Sequence, residues 1–197
     1  MNKGEATRQR ILEKSFKLLN KKGFLVSPVS DIMKVTGLKK GGIYNHFESK
    51  QDLVLQVFDY AVGRVGEKFN RVIRENDTAT GRLLGVISVF KKYFEYPDLA
   101  GGCPVMNIAI ESDDADPVLR QRARDAMSRW RDMCARIVTK GINNGEFRAG
   151  VNPDAVATLF IASLEGAVML SNLYKDTVHM RRVVEHLENY VEKEVKA

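Results

Sequence analysis

Apolar residues recur every three or four positions along most of this 197-residue chain, and no segment alternates with the two-residue period of a strand. Ile11, Ser15, Leu18 and Leu19 trace a face that runs out at Lys21, Lys22 and Gly23, a basic last turn with glycine just beyond, and predict a helix over about 5–22. Ser27-Pro28 reads as a cap followed by proline at the first helical position, opening a second helix that stops at Gly37. A third, short helix covers about 39–46. Ser49, with Asp52 three residues on as a weaker partner than Glu, opens a long fourth helix. Its stripe of Val54, Phe58, Ala61, Val65, Phe69 and Val72 carries it to about Glu75.

Prolines punctuate the remainder. Cys103-Pro104, Asp116-Pro117 and Asn152-Pro153 each pair a cap with proline and mark helix starts, while Pro97 is expected to close a helix over about 79–96. Leu119, Ala123, Met127, Trp130, Cys134 and Ile137 define a long helix ending near Asn144-Gly145, and Met180, Val183, Val184, Leu187, Tyr190 and Val191 define a last one over about 178–194. The chain therefore reads as all-α, with about nine helices. The helix at about 153–174 is apolar almost all round and must be covered on more than one side. Its small residues Ala162, Ser163, Gly166 and Ala167 leave room for another helix. With the last helix it forms a two-helix face suited to pairing with its own copy as a four-helix interface. Its longest unbroken apolar run, Ala155 to Leu164, stops at Glu165, short of the roughly 20 residues a membrane span needs, so no transmembrane helix is expected.

Composition adds a folded core, at 44% hydrophobic and 28% charged, and only two cysteines, too few for a disulfide framework. The N-terminal MNKGEATRQR lacks the features of a signal peptide, so the protein is expected in the cytoplasm, with no membrane partner. Charge changes the picture more. Residues 1–50 hold 11 basic and 4 acidic side chains, a surplus of +7, whereas residues 51–197 hold 20 and 21. A basic segment on a near-neutral body points to a polyanion, nucleic acid or an anionic membrane, or on charge alone is simply a solvated face. The second and third helices, joined by Thr36-Gly37-Leu38, form a helix-turn-helix, on whose reading helix the surplus is expected to gather. Lys39, Lys40, Tyr44, Asn45 and His46 offer charge for phosphates and an amide for a base edge. Gly41-Gly42 weakens a helix by about 1 kcal/mol per glycine, which suggests close approach of the backbone to DNA or simply a loose first turn.

These residues match a known pattern. Ile11-Leu12-x-x-Ser15-x-x-Leu18-Leu19-x-x-x-Gly23-Phe24, followed by Asp31-Ile32-x-x-x-x-Gly37-Leu38-x-Lys40-Gly41-x-Ile43-Tyr44-x-His46-Phe47-x-Ser49-Lys50-x-x-Leu53, resembles the DNA-binding domain of TetR-family transcriptional regulators. The resemblance implies a three-helix DNA-binding domain over residues 1–50, linked by the fourth helix to an effector-binding and dimerisation domain over 51–197. It implies phosphate contacts from Tyr44, His46, Lys50 and Ser27, with packing as the alternative for Tyr44 and His46. Ile32, Val35, Ile43, Phe47 and Leu53 read as the core of the small domain, and Thr7 and Arg8 as candidates for backbone contact from an N-terminal arm. Lys39 and Gly42 stand where relatives carry hydroxyl residues, so base preference does not carry over.

In relatives, the region between heads and dimer helices encloses a small-molecule inducer. Here it carries Phe90, Tyr93, Phe94, Met106, Met127, Trp130, Met133 and Met169, with Asn107, Glu111, Glu165 and Asn172 as candidate polar anchors; the same aromatic and methionine side chains would also serve as core. Gly63 and Gly66 would soften the fourth helix or be close-packing sites. Cys103, at a helix cap, is a candidate redox thiol and an alternative route to sensing electrophiles or oxidants, the plainer reading being a small cap residue; Cys134 is expected to be inert core. His46, His179 and His186 lie in the head and the last helix at no zinc spacing. No catalytic residue, metal or cofactor is expected. The expected partners are a double-stranded DNA operator, a second copy of the chain and a small-molecule inducer.

Overall fold

The computed structural model describes residues 2–113 and 115–197. Among them the chain forms α1 (Lys3–Lys22), α2 (Val29–Thr36), α3 (Lys40–Tyr44), α4 (Lys50–Arg74), α5 (Ala79–Lys91), α6 (Pro104–Glu111), α7 (Pro117–Asn143), α8 (Pro153–Tyr174) and α9 (Val178–Tyr190). The described residues form no strand; an antiparallel bridge joins Phe147 to Lys196.

Capping accounts for most boundaries. Asn2 and Glu5 form a capping box, which starts α1 at Lys3, two residues before the predicted start at about 5, and places Thr7 and Arg8 inside the helix, not on an arm. Asp116 Oδ1 accepts from the N–H groups of Val118 and Leu119, and Asn152 Oδ1 from those of Asp154 and Ala155, so the caps before Pro117 and Pro153 stand as expected. At Ser27 the expected cap is absent. Its hydroxyl donates to Gly23 O at 2.6 Å, and Pro28 occupies the cap position. At the head of α4, Ser49 Oγ accepts from the Asp52 N–H while Asp52 reaches one residue further back, to the N–H of Glu48.

Three helices are shorter than the sequence predicts: α3 covers Lys40–Tyr44 against about 39–46, and α5 and α9 also stop early. α5 ends at Lys91, and Tyr93–Glu95 and Pro97–Leu99 form tight 3₁₀ turns that bring Tyr93 onto Phe90, ring centroids 5.8 Å apart. α9 ends at Tyr190 and widens into a π turn, Val191–Val195, that keeps Val191 and Val195 buried. Arg148 holds that turn by donating to the carbonyls of Lys193 and Lys196.

The helices group into two compact units, Met1–Arg64 with Pro97–Arg124, and Val65–Tyr96 with Asp125–Ala197. The first packs Ile11, Phe16, Leu19, Phe24, Ile32, Ile43, Phe47, Leu53 and Phe58 into its core, with Phe24 edge-on to Phe58. Val35, expected in that core, is only half-buried and floors an open groove with Leu18. α6 belongs to this unit and is clasped to the end of α1. Asn107 Nδ2 lies within 3.1–3.2 Å of Asn20 O, Asn20 Oδ1 and Gly101 O, and Asn20 Nδ2 donates to Gly102 O at 2.9 Å. Gly101 makes the clasp possible, since a Cβ there would lie 2.0 Å from Asn20 O.

In the second unit α8 packs against α9, burying Val156, Phe160, Leu164, Val168, Met180, Val184 and Leu187. Over its full length α8 is apolar enough to cross a membrane, with mean hydropathy 1.6 in its most apolar window. Counting only the run up to Glu165 undervalued it, because one charge does not interrupt a helix. Its inward side packs as core, with 44% of that window buried.

Candidate functional site

The turn between α2 and α3 is built as its sequence suggests. Gly37 caps α2 in the left-handed region (φ 74°, ψ 15°), its N–H donating to Met33 O, and Thr36 Oγ1 bonds back to Ile32 O. α3 is then one short helix. Lys39 sits at its cap with no side-chain cap bond, as the missing hydroxyl implies. Ile43 and Phe47 point into the core. Lys39, Lys40, Gly41 and Asn45 are exposed, and Gly42, Tyr44, His46 and Lys50 are half-buried. Lys40 Nζ stands 5.9 Å from the Tyr44 ring centroid. Ser27 lies behind this face at 2% exposure, its hydroxyl committed to Gly23 O, so it is not available to a phosphate in this structure.

Neither Gly41 nor Gly42 adopts a positive φ. A Cβ at Gly41 would meet nothing within 4 Å, and one at Gly42 would make ordinary contact with Leu38. The chain's own packing therefore requires neither glycine.

The supports of the face were not legible in the sequence. Lys50 Nζ donates to Leu25 O at 2.9 Å, and the Leu25 N–H donates to a Glu111 carboxylate oxygen at 3.0 Å, which holds the loop before α2 by both polar groups of one residue. Arg8 bonds Gln56 and lies over the Phe47 ring. Lys22 hydrogen-bonds Asp31, and this bond, with the charges of Lys22 and Lys34, holds the Asp31 carboxyl below its usual pKa against a smaller effect of burial. The positive charge is also more widely spread than expected. Seven of the eleven basic residues in 1–50 lie on α1, and four of them (Lys14, Lys17, Lys21 and Lys22) line the groove floored by Leu18 and Val35.

The second candidate site divides. Phe90, Trp130, Met133 and Glu165 come together in the second unit around a cavity of about 20 Å³, closed further by Phe69, Val86, Cys134, Phe160, Ile161 and Leu164. Phe69 links the rings, edge-on to Trp130 at 5.5 Å and 5.9 Å from Phe90. Tyr93 stacks behind Phe90, while Phe94 instead lines a groove of about 510 Å³ between the end of α5 and α9. Met127 and Asn172 are half-buried, and Met169 is 47% exposed on the outer side of α8. Met106, Asn107 and Glu111 sit on α6 in the first unit, where Asn107 and Glu111 serve the clasp and the Leu25 loop and not the cavity. Cys103 occupies the cap position of α6 but makes no side-chain cap bond and is 2% exposed. Cys134 is buried against the cavity, and burial pushes its thiol up to about 12.

The outer side of α8 carries an unburied apolar stripe. Leu159, Met169, Leu173 and Tyr174 are exposed, with Ala162 between them and open space over Gly166. Ala167, expected with these small residues, turns inward and is buried. A Cβ added at Gly63 or Gly66 of α4 would meet nothing within 4 Å, so neither is a close-packing site within the chain.

Residues 11–57 match the family model for bacterial regulatory proteins, tetR family, and residues 79–187 match that of the tetracyclin repressor-like C-terminal domain. The crystal structure of a TetR transcriptional regulator from Chloroflexus aurantiacus J-10-FL is 41% identical, covers 100% of this chain and 99% of its own, and has a TM-score of 0.94. A TetR-family transcriptional regulator from Cytophaga hutchinsonii is 30% identical over 100% of this chain and 98% of its own, with a TM-score of 0.89. The HTH-type transcriptional repressor DhaR of Mycobacterium sp. strain GP1 is 26% identical over 82% of this chain and 80% of that protein.

Proposed function

The chain belongs to the TetR family of DNA-binding, non-enzymatic transcriptional regulators, and we propose that it is a cytoplasmic repressor that holds a near-palindromic operator as a homodimer and releases it when a small, largely apolar molecule enters residues 51–197. Residues 1–50 read the DNA. The observation that carries this reading is the α3 face: Lys39, Lys40 and Asn45 point outward beside two glycines that nothing inside the chain requires. Glycine at 41 and 42 lets the helix backbone approach a sugar-phosphate wall, Lys40, Tyr44, His46 and Lys50 neutralise or bond phosphates, and the Asn45 amide meets a base edge. Repression accords with the name of the DhaR relative.

Pairing through α8 and α9 would cover the exposed stripe of α8, with Ala162 and Gly166 allowing close approach of the partner helix. A two-fold dimer sets its reading helices about 34–36 Å apart, one DNA turn, hence the palindromic operator. To move a population from 99:1 DNA-competent to 1:99, the effector must prefer the released form by roughly 5.5 kcal/mol. Selection from random duplexes tests the reading. A recovered inverted repeat with half-sites one turn apart, bound in preference to anionic vesicles at physiological salt, is the expected result; equal binding to random DNA, or a preference for vesicles, would overturn it.

A further inference from the structure

The groove floored by Leu18 and Val35 encloses about 670 Å³ and is lined by Lys14, Lys17, Lys21 and Lys22 of α1, with no acidic side chain in its lining among the described residues. Lys14, Lys17 and Lys21 stand three and four residues apart, so they share one face of α1 over two turns, about 10.5 Å of helix. Like charges at that spacing repel one another and cost the helix stability. Only part of this charge is compensated within the chain. Lys17 pairs with Glu13 at 3.0 Å and Lys22 with Asp31 at 3.1 Å, whereas Lys14 and Lys21 have no hydrogen bond or ion pair among the described residues. The Lys17–Glu13 pair is half-exposed on both sides, and pairs of that kind are weak enough to yield to a competing carboxylate. The floor adds a second requirement. Leu18 and Val35 are half-buried, an apolar strip within a basic frame. The groove is open, so it would hold a small molecule on one side only, whereas small-molecule sites enclose most of their ligand. An elongated partner with an apolar stripe and negative flanks meets both requirements.

We propose that this groove is a docking surface for an acidic amphipathic helix of another protein, which lays its apolar stripe on Leu18 and Val35 and sets carboxylates, one and two turns apart, against Lys14, Lys17 and Lys21. Charge complementarity fixes where the partner lies, and covering the floor supplies the apolar burial. Duplex DNA is the competing polyanion. Its phosphates would meet the lysines but leave the apolar floor uncovered, so the lining as a whole favours a helix. None of the six lining residues belongs to the α3 face, so the groove adds a protein contact to a chain whose DNA contacts lie elsewhere.

The probe is a fluorescein-labelled peptide of alanine, leucine and glutamate, about five helical turns long, with leucine at every third or fourth position and glutamate on both flanks of that stripe. A scrambled peptide of the same composition keeps the charge and loses the stripe. Both are titrated with the full-length protein at physiological salt and followed by anisotropy. The expected result is saturable binding of the striped peptide, at least about tenfold tighter than the scrambled one, and weakened about tenfold in the double variant Lys14→Ala, Lys21→Ala. The comparison of the two peptides uses only the wild-type chain, so it stands even if the variant folds poorly. No saturable binding of the striped peptide, equal binding of the scrambled one, or unchanged affinity in a double variant with native circular dichroism would overturn the proposal. Random duplex DNA is the remaining arm. The double variant should bind it with the wild-type salt dependence; a slope of log affinity against log salt lowered by about 2 would assign both lysines to phosphates and overturn the helix as occupant. No arm uses an operator or an effector, so failure here is distinct from failure of the repressor reading.

Discussion

Gly101→Ala is expected to destabilise the protein far more than a surface glycine substitution, and the size of the effect follows from the clasp. The new Cβ would lie 2.0 Å from Asn20 O, 2.4 Å from Asn20 C and 2.7 Å from Lys21 N, all backbone atoms of α1 that no rotamer change can move. Contacts under 3.0 Å are essentially never seen, so the loop must retreat by about 1 Å or more, and the bonds made by Gly101 O and Gly102 O, now 3.1 and 2.9 Å, stretch beyond useful length. Overpacking against a rigid neighbour costs about 1–3 kcal/mol and each lost hydrogen bond about 1 kcal/mol, giving roughly 3–5 kcal/mol in all. That is a large share of the roughly 5–15 kcal/mol that holds a protein folded. Urea unfolding followed by circular dichroism, at one fixed protein concentration because a dimer's stability depends on it, measures the loss as a drop in midpoint. Gly63→Ala is the control. Gly63 is exposed on α4 with nothing within 4 Å, so alanine there should stabilise by up to about 1 kcal/mol. A Gly101→Ala protein within about 0.5 kcal/mol of wild type would refute the clasp as a rigid, close-packed element.

Other expectations concern the DNA face, the dimer and the thiols. Lys40→Ala should weaken binding to all duplexes and lower the slope of log affinity against log salt by about 1, whereas Asn45→Ala should lose about 1–3 kcal/mol on the selected operator and little on random DNA. Equal losses on both would remove Asn45 from base readout. Gly166→Arg, placed in the open centre of the α8 stripe, should sediment as a monomer at micromolar concentration, and a wild-type chain that is itself monomeric there would end the dimer reading. At pH 8 neither Cys103 nor Cys134, each 2% exposed, should react with a thiol reagent until urea is added, and rapid native reaction of Cys103 would restore thiol sensing as the effector route. Folding raises the Cys134 thiol from 9.0 to about 12, so the unfolded chain gives up its proton first; the stability this contributes is complete below pH 9 and is lost as pH climbs toward 12. A Cys134→Ala variant should show a shallower alkaline decline.

Much of this protein is written in short-range pattern. Helix periodicity, the proline-marked starts at Pro104, Pro117 and Pro153, the left-handed Gly37 and the string around Lys40 to Lys50 depend on residues a few positions apart, and the sequence alone determined the helical class, the reading head and the family from them. It misjudged whatever depends on a partner far along the chain. Asn107 and Glu111 look like ligand anchors by composition, yet one binds Asn20 and the other Leu25, 87 and 86 residues away. Ser27 looks like a cap and a phosphate contact until Gly23 O takes its hydroxyl, and Val35 looks like core until α1 leaves it beside a lysine-lined groove. Glu165 is the converse case, a charge inside an apolar helix whose burial among four rings appears only when α8 has packed. Local geometry is set by backbone bonds spanning about four residues and can be read in order along the chain. A polar side chain's fate is set by what packing brings opposite it, and that is decided only when the chain folds.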